Sequence, residues 1–201
     1  RTVYKSIKIE QTEFDINKLN DKTAFIPIAE YYVYTIPPSS SLDYAQSTIH
    51  LFDSITAVNP KAKIIFTSST SVYGDEARII NENSATKPKS KNAEEIIQIE
   101  NYLSNRLGDS TLILRLAGLV GPNRNPGRTL SGRTNVSRPR APVNLIHSFD
   151  ILNFILLNLS HWNSGVFNLC SPDHPMKKDY YQFFCEKYNL VPPEFNQEDL
   201  N

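Results

Sequence analysis

The residues best suited to chemistry form a run of five hydroxyl side chains, from Thr67 to Ser71, directly after an apolar segment. Such a segment is typical of a buried strand, and ligands of open parallel sheets bind outside the carboxyl ends of the strands. The hydroxyls could therefore hydrogen-bond the ribose of a cofactor or an oxygen of a substrate. The alternative is that these side chains only cap a turn, as clusters of serine and threonine often do.

Arginine dominates the stretch between Asp109 and Asp150, which contains no acidic residue. This stretch contains six arginines: Arg115, Arg124, Arg128, Arg133, Arg138 and Arg140. Guanidinium groups bind phosphate oxygens through paired hydrogen bonds, so the stretch could hold a diphosphate or another anion. The alternative is a solvated basic loop whose charges pair with acids elsewhere in the fold, and the sequence leaves both readings open.

These side chains need a scaffold, and the hydrophobic pattern predicts one of alternating strands and helices. Apolar runs rich in β-branched and aromatic residues predict strands at 31–36, 63–67, 111–116 and 166–169. Apolar residues at helical spacing predict helices at 42–58, 93–107, 151–159 and 179–188. Gly108 is placed to close the second helix, and 118–144 has the composition of a long loop. The alternation indicates an α/β domain with a parallel sheet.

Composition narrows the class of function. The 201-residue chain has a formal net charge of zero, which disfavours nucleic-acid binding. Its two cysteines, Cys170 and Cys185, fit neither a metal-ligand spacing nor a disulfide framework. No stretch has the apolar length of a membrane span, so we expect a cytoplasmic protein. No glycine precedes Gly74, so the first 73 residues cannot form a Gly-rich phosphate loop.

Four short segments follow one another in the order found in a known family. They are FTSSTSVYG at 66–74, RLAGLVGP at 115–122, NLIHSFD at 144–150 and GVFNL at 165–169. With a helix that begins at Pro88 and carries Glu100, they resemble the NAD(P)-dependent epimerase/dehydratase family of extended short-chain dehydrogenases. The resemblance implies a Rossmann-like, doubly wound parallel sheet with a small C-terminal substrate lobe. It divides the chain into a partial NAD(P)-binding domain at 1–122 and a mixed substrate-binding part at 123–201.

The resemblance implies NAD or NADP as the cofactor. One strand, the Gly-rich turn, a helix and a second strand would precede Arg1, which would then face the 2′-phosphate of NADP and favour NADP slightly. A solvated charge is the alternative for Arg1. The other implied cofactor-binding residues lie at three strand ends: Ile36, Pro37, Pro38, Thr67, Ser68, Leu116, Ala117 and Gly118.

Catalytic and substrate roles follow from the same resemblance. Ser69 matches the active-site hydroxyl that hydrogen-bonds the reacting sugar oxygen. Arg124 and Asn144 fall among the implied substrate-binding positions. His147 and Asp150 match a pattern that mostly fixes the start of a helix, where the helix dipole favours a carboxylate.

One departure from the family concerns its catalytic tyrosine and lysine. Asn92 and Ile96 occupy the two positions, and neither side chain can transfer a proton or stabilise a tyrosinate. This absence places the sequence nearer to the atypical, YeeZ-like branch of the family. Tyr73 is then the nearby residue able to act as acid or base.

The sequence therefore predicts an NAD(P)-binding oxidoreductase or isomerase acting on a nucleotide sugar or a similar anionic substrate, and it is compatible with a homodimer. An alternative of a different class is a non-catalytic NADP(H)-binding module that senses redox state or regulates a partner. A third reading, that the chain binds nothing, follows from the lack of a Gly-rich loop.

Overall fold

The computed structural model describes residues 11, 13–16, 26–38, 43–75 and 78–196, so the prediction for Arg1 lies outside the described residues. The strands are β1 (Tyr31–Tyr34), β2 (Lys63–Ser69), β3 (Thr111–Leu116), β4 (Gly118–Val120), β5 (Leu145–His147) and β6 (Gly165–Leu169). The α-helices are α1 (Tyr44–Val58), α2 (Lys91–Arg106), α3 (Gly127–Leu130), α4 (Ser148–Ser160) and α5 (Lys177–Lys187). Single-turn 3-10 helices occupy Thr70–Tyr73 and Gly108–Ser110.

The main sheet has the strand order β1-β2-β3-β6, and every neighbouring pair is parallel. Strands β4 and β5 form a separate parallel pair. The predicted α/β class with a parallel sheet is confirmed. Because β6 pairs with β3, a strand from the predicted substrate-binding part joins the main sheet, while the division at residue 122 stays a prediction.

The central strands β2 and β3 are buried on both faces, as their continuous apolar runs predict. Side chains alternate between the faces of a strand, so successive residues enter different cores. Ile64 and Phe66 of β2 pack with α1 and α2 in one core. Ile65 lies in the other, together with Leu114 of β3 and Ile155 of α4. The sheet therefore separates two hydrophobic cores and exposes only its edges.

The ends of several elements differ from the predicted ones for local reasons. Helix α2 begins at Lys91 and not at Pro88, because Ser90 is the N-cap and its hydroxyl accepts the Ala93 amide at 3.3 Å. Its other end is as predicted, since Leu107 caps the helix and Gly108 follows with φ +45°.

The segment 118–144, predicted as a loop, contains β4 and α3. Both elements are so short that neither leaves a periodic pattern in the sequence. Among the helices in the described ranges, none combines the length and apolarity needed to cross a membrane.

Candidate active site

A cavity of about 1070 Å³ opens at the carboxyl ends of β2 and β3. The parallel register brings these ends together, since Ser69 pairs with Leu116. The 3-10 helix continues from β2 across this edge, and the Thr70 hydroxyl donates to the Leu116 carbonyl at 3.3 Å. The cavity wall includes Ser69, Thr70, Ser71, Asp75, Arg78, Leu116, Ala117, Gly118, Arg138, Arg140 and Asn144. Five predicted site residues therefore meet here: Ser69, Leu116, Ala117, Gly118 and Asn144.

Ser69 has one of the two roles considered for the hydroxyl run, the cap, and a position that suits the other. Its Oγ accepts the Ser71 amide at 3.1 Å, which caps the 3-10 helix, and the side chain also lines the cavity. A hydroxyl can accept and donate at once, and the Ser69 proton has no acceptor among the described residues. Ser69 can therefore donate a hydrogen bond to an oxygen of a bound molecule.

The opposite wall is formed where β3 passes into β4. The Gly118 amide donates to the Asn144 carbonyl at 3.0 Å. A Cβ added at Gly118 would lie 3.0 Å from Cδ2 of Leu145 and 3.1 Å from the Asn144 carbonyl oxygen, closer than side chains normally approach. Glycine at this position lets the two backbones close the wall of the cavity.

Thr67 and Ser68, predicted to bind the cofactor, do not line this cavity. The Thr67 hydroxyl donates to the Tyr34 carbonyl at 3.0 Å, between β1 and β2. The Ser68 hydroxyl is buried and donates to the Glu100 carboxylate at 2.5 Å. Both hydroxyls are used by neighbours inside the protein. Alternation along β2 turns Ser68 inward where Ser69 faces the cavity, whereas Thr67, on the same face as Ser69, is bound by the neighbouring strand β1.

A buried ion pair lies beneath the cavity. Arg115 of β3 donates to Glu100 of α2 through Nη2 at 2.6 Å and through Nε at 3.1 Å. Burial lowers the pKa of Arg115, but hydrogen bonds to Glu100 and Tyr73 and the charge of Glu100 outweigh this and raise it above its usual value. Arg115 is therefore charged and paired with an acid from elsewhere in the fold, which is the alternative considered for the basic stretch.

Tyr73, the alternative acid or base, belongs to the same buried network. Its hydroxyl accepts a hydrogen bond from Arg115 Nη1 at 2.7 Å and donates to Asn168 Oδ1 at 2.8 Å. The side chain is 1% exposed and does not line the cavity. A proton transfer by Tyr73 stays a prediction, and the structure does not bring its hydroxyl to the other site residues.

Four of the five remaining arginines of the basic stretch separate into two groups, and Arg133 lines none of the four cavities. Arg138 and Arg140 line the cavity that contains Ser69. Arg124 and Arg128 instead border neighbouring cavities of about 570 and 550 Å³ beside α5. The structure thus places the two predicted substrate-binding residues apart, Asn144 with Ser69 and Arg124 away from it.

The predicted cofactor-binding residues after β1 lie elsewhere on the same sheet edge. Ile36 lines a mainly apolar cavity of about 550 Å³ along β1, which also contains Tyr34 and Phe52. Pro37 and Pro38 line none of the four cavities considered. None of the described residues that line this apolar cavity is charged, whereas three arginines line the cavity at Ser69, so we take the latter as the candidate site.

The α2 residues at the family's tyrosine and lysine positions cannot reach this cavity. Asn92 is exposed, and Ile96 is 6% exposed within the core formed with α1. In the part of the chain that the structure describes, no group of three or more His, Cys, Asp or Glu side chains could hold a metal ion.

Several polar residues of the cavity were absent from the predicted site. Thr70 and Ser71 belong to the hydroxyl run, and Arg138 and Arg140 belong to the basic stretch, so the sequence contained a signal for all four. Arg78 carries no such signal, because it follows the hydroxyl run in an irregular segment.

Comparison with known proteins identifies related chains. The model of the NAD dependent epimerase/dehydratase family matches residues 42–170. The protein YeeZ of Escherichia coli K12 is 38% identical over 172 residues, which cover 83% of this chain and 62% of YeeZ. The chain therefore spans less than two thirds of the length of this curated relative.

Two solved structures have the same fold at low identity. RMD from Pseudomonas aeruginosa, complexed with NADPH, superposes with a TM-score of 0.72 at 16% identity and covers 92% of this chain and 73% of its own. MoeE5, in complex with UDP-glucuronic acid and NAD, superposes with a TM-score of 0.73 at 16% identity and covers 98% and 75%. These similarities support the Rossmann-like, mostly parallel arrangement of the sheet.

Proposed function

The chain belongs to the NAD dependent epimerase/dehydratase family, and we propose that it binds NAD or NADP and acts on a nucleotide sugar or a similar anionic substrate. One observation carries the proposal. The Ser69 hydroxyl, whose proton has no acceptor among the described residues, lines the same strand-end cavity as two arginines, Arg138 and Arg140. A sugar hydroxyl or carbonyl and a phosphate are the ligand groups that such donors bind.

The charge and size of the cavity support an anionic substrate. Three arginines and one aspartate line it: Arg78, Arg138, Arg140 and Asp75. Its volume of about 1070 Å³ is at the upper end of the range typical for small-molecule sites. MoeE5, which shares the fold, is complexed with UDP-glucuronic acid, a molecule with a sugar, a diphosphate and a carboxylate. We assign the phosphate to Arg138 and Arg140 and the sugar to the hydroxyls that follow β2.

The residues present fit one part of a dinucleotide. Leu116, Ala117 and Gly118 form a largely apolar wall at a strand end, suited to a flat nicotinamide ring. The chain has no glycine before Gly74 and so offers no Gly-rich loop for the pyrophosphate within the described residues. When bound, the nicotinamide supplies a hydride donor or acceptor. The chain itself orients the substrate through Ser69, binds its anion, and keeps water from the wall at Ala117, which is 4% exposed.

The test begins with binding. Full-length protein is titrated with NADH and NADPH while nucleotide fluorescence is followed, and then assayed for turnover of UDP-glucose and UDP-glucuronic acid. We expect micromolar binding, with NADPH preferred over NADH. Absence of binding of either nucleotide to the folded protein contradicts the proposal.

A matched pair of serine variants tests the site. Ser69→Ala should lower kcat by about 100-fold or more, the usual cost of losing one donor aimed at the reacting group, while the Kd for NADPH changes by less than about twofold. Ser160→Ala, at the end of α4 and away from the cavity, should leave both quantities unchanged. Equal turnover in the two variants would rule out Ser69 as the orienting hydroxyl.

A second candidate function is favoured by the residues of α2. Because no residue of α2 lines the cavity, that helix offers no acid or base to it. A protein that binds NADP(H) without turnover, as a sensor of redox state, would need no acid or base at the cavity. It would bind NADPH in the titration, convert neither nucleotide sugar, and show the same NADPH affinity in the Ser69→Ala variant.

A further inference from the structure

A buried network lies beneath the cavity and joins some of the elements that form its wall, among them the ends of β2 and β3. It connects the end of β2, the 3-10 helix, α2, β3 and β6 through five side chains. They are Ser68, Tyr73, Glu100, Arg115 and Asn168. None of the five lines the cavity at Ser69.

The two strands that end at the cavity each have a network residue next to a cavity residue. Ser68 precedes Ser69 on β2, and Arg115 precedes Leu116 on β3. Tyr73 ends the 3-10 helix that Thr70 begins. Because neighbouring residues of a strand share a rigid peptide unit, a hydrogen bond that fixes Ser68 or Arg115 also fixes the direction of the next side chain.

The Glu100 carboxylate is fully used by this network. Its Oε1 accepts from Ser68 and from Arg115 Nε, and its Oε2 accepts from Arg115 Nε at 3.2 Å and Nη2 at 2.6 Å. The guanidinium also lies over the Tyr73 ring, 4.9 Å from its centroid. A buried pair of this kind contributes little net stability, since apolar residues of similar volume often serve as well. Apolar residues cannot, however, reproduce the hydrogen bonds that Glu100 and Arg115 make to Ser68 and Tyr73.

We infer that Glu100 and Arg115 are positioning residues that hold the hydroxyls of Ser69, Thr70 and Ser71 at the wall of the cavity. The inference rests on the proposed function for its catalytic consequence, but its structural part does not. The Ser71 amide donates to Ser69 Oγ, so protection of this amide from hydrogen exchange reports directly on the position of the Ser69 hydroxyl.

The test uses the double variant Glu100→Met/Arg115→Met, which removes both charges and keeps the side chains long and apolar. The full-length variant should still fold and should unfold at a moderately lower urea concentration than the parent, because the buried Ser68 hydroxyl loses its acceptor. Exchange of the Ser71 and Gly74 amides should become about tenfold faster or more, while amides of the core strand at Phe66 exchange at the parental rate. If the ion pair only stabilised the fold, its removal would change the exchange rates of all of these amides together or of none of them.

Kinetics provide a second readout where turnover is detected. A misplaced hydroxyl should lower kcat by about tenfold or more with KM within about threefold, because the anion-binding arginines are untouched. If the double variant fails to fold, Ser68→Ala replaces it, since this change removes a single hydrogen bond to Glu100 and leaves the ion pair intact. Parental exchange at Ser71 in a folded variant overturns the inference. This result is independent of nucleotide binding, so it is distinguishable from failure of the proposed function.

Discussion

Gly74 offers a sharp test of how the candidate site is built. It follows the 3-10 helix with φ +75° and ψ −158°, a region that is essentially restricted to glycine. A Cβ added there would overlap the backbone oxygen of Lys87. That oxygen cannot move aside freely, because the Lys87 amide donates to the Val72 carbonyl at 2.8 Å. Gly74→Ala must therefore strain the backbone and displace a hydrogen-bonded segment.

The expected cost combines two contributions. Forcing alanine into this backbone region costs about 1–3 kcal/mol. Relieving an overlap with a packed backbone costs about 1–3 kcal/mol more, as overpacking generally does. We therefore expect Gly74→Ala to lower the free energy of unfolding by about 2–6 kcal/mol.

Gly108→Ala is the matched control. Gly108 also has a positive φ, of +45°, but a Cβ there would meet no atom within 4 Å. Its cost should be the backbone strain alone, about 1 kcal/mol.

Urea unfolding of both variants, followed by circular dichroism, provides the comparison. Because Gly74 lines the cavity, its variant should also bind ligand more weakly, whereas the Gly108 variant should bind like the parent. Equal loss of stability in the two variants would refute the reasoning, since the contact with Lys87 and the more restricted backbone region both set Gly74 apart.

Two further predictions concern the helices around the site. Ser90→Ala should destabilise the protein by about 1 kcal/mol in urea unfolding, because it removes the cap of α2, while Asp43→Ala should change little, since the N-cap of α1 makes no side-chain hydrogen bond. Burial and then the hydrogen bond to Asp53 raise the pKa of Tyr102 to about 12. The neutral phenol therefore stabilises the fold below its unfolded pKa of about 10, and this contribution is lost as the pH rises through 12. Asp53→Asn should lower the Tyr102 pKa in a ring NMR titration, and an unchanged value would contradict the assigned cause.

The sequence was most informative where local pattern determines structure. The runs at β2 and β3 predicted two buried parallel strands, and the strand-end rule brought Ser69 and Leu116 together. Alternation requires adjacent hydroxyls to face opposite sides of a strand, but which of Ser68 and Ser69 faces the core depends on packing from α2. The sequence therefore could not separate Ser68, which is buried against Glu100, from Ser69, which lines the cavity.

The sequence pattern also did not indicate which residue pairs with Arg115. Glu100 lies 15 residues away on a helix, and nothing in the spacing of the two residues indicates contact. As a result, Arg115, which belongs to a buried ion pair, was grouped with the charges of the basic stretch. Arg138 and Arg140 could be found as members of that stretch, but which of its arginines reach the cavity depends on the course of the irregular segment between α3 and β5.

The separation of the two cores by β2 bears on how freely sequences of this kind can diverge. Ile64 and Phe66 face the helices α1 and α2, whereas Ile65 faces α4, so a substitution on one side has different neighbours from a substitution on the other. The stability effects of substitutions that share no neighbours generally add. Residues of one core can therefore change during evolution without compensating changes in the other core. This independence ends at Ser68 and Ser69, where one face of the strand joins the buried network through Glu100 and the other lines the cavity. Divergence should therefore be fast along the strand and slow at its carboxyl end.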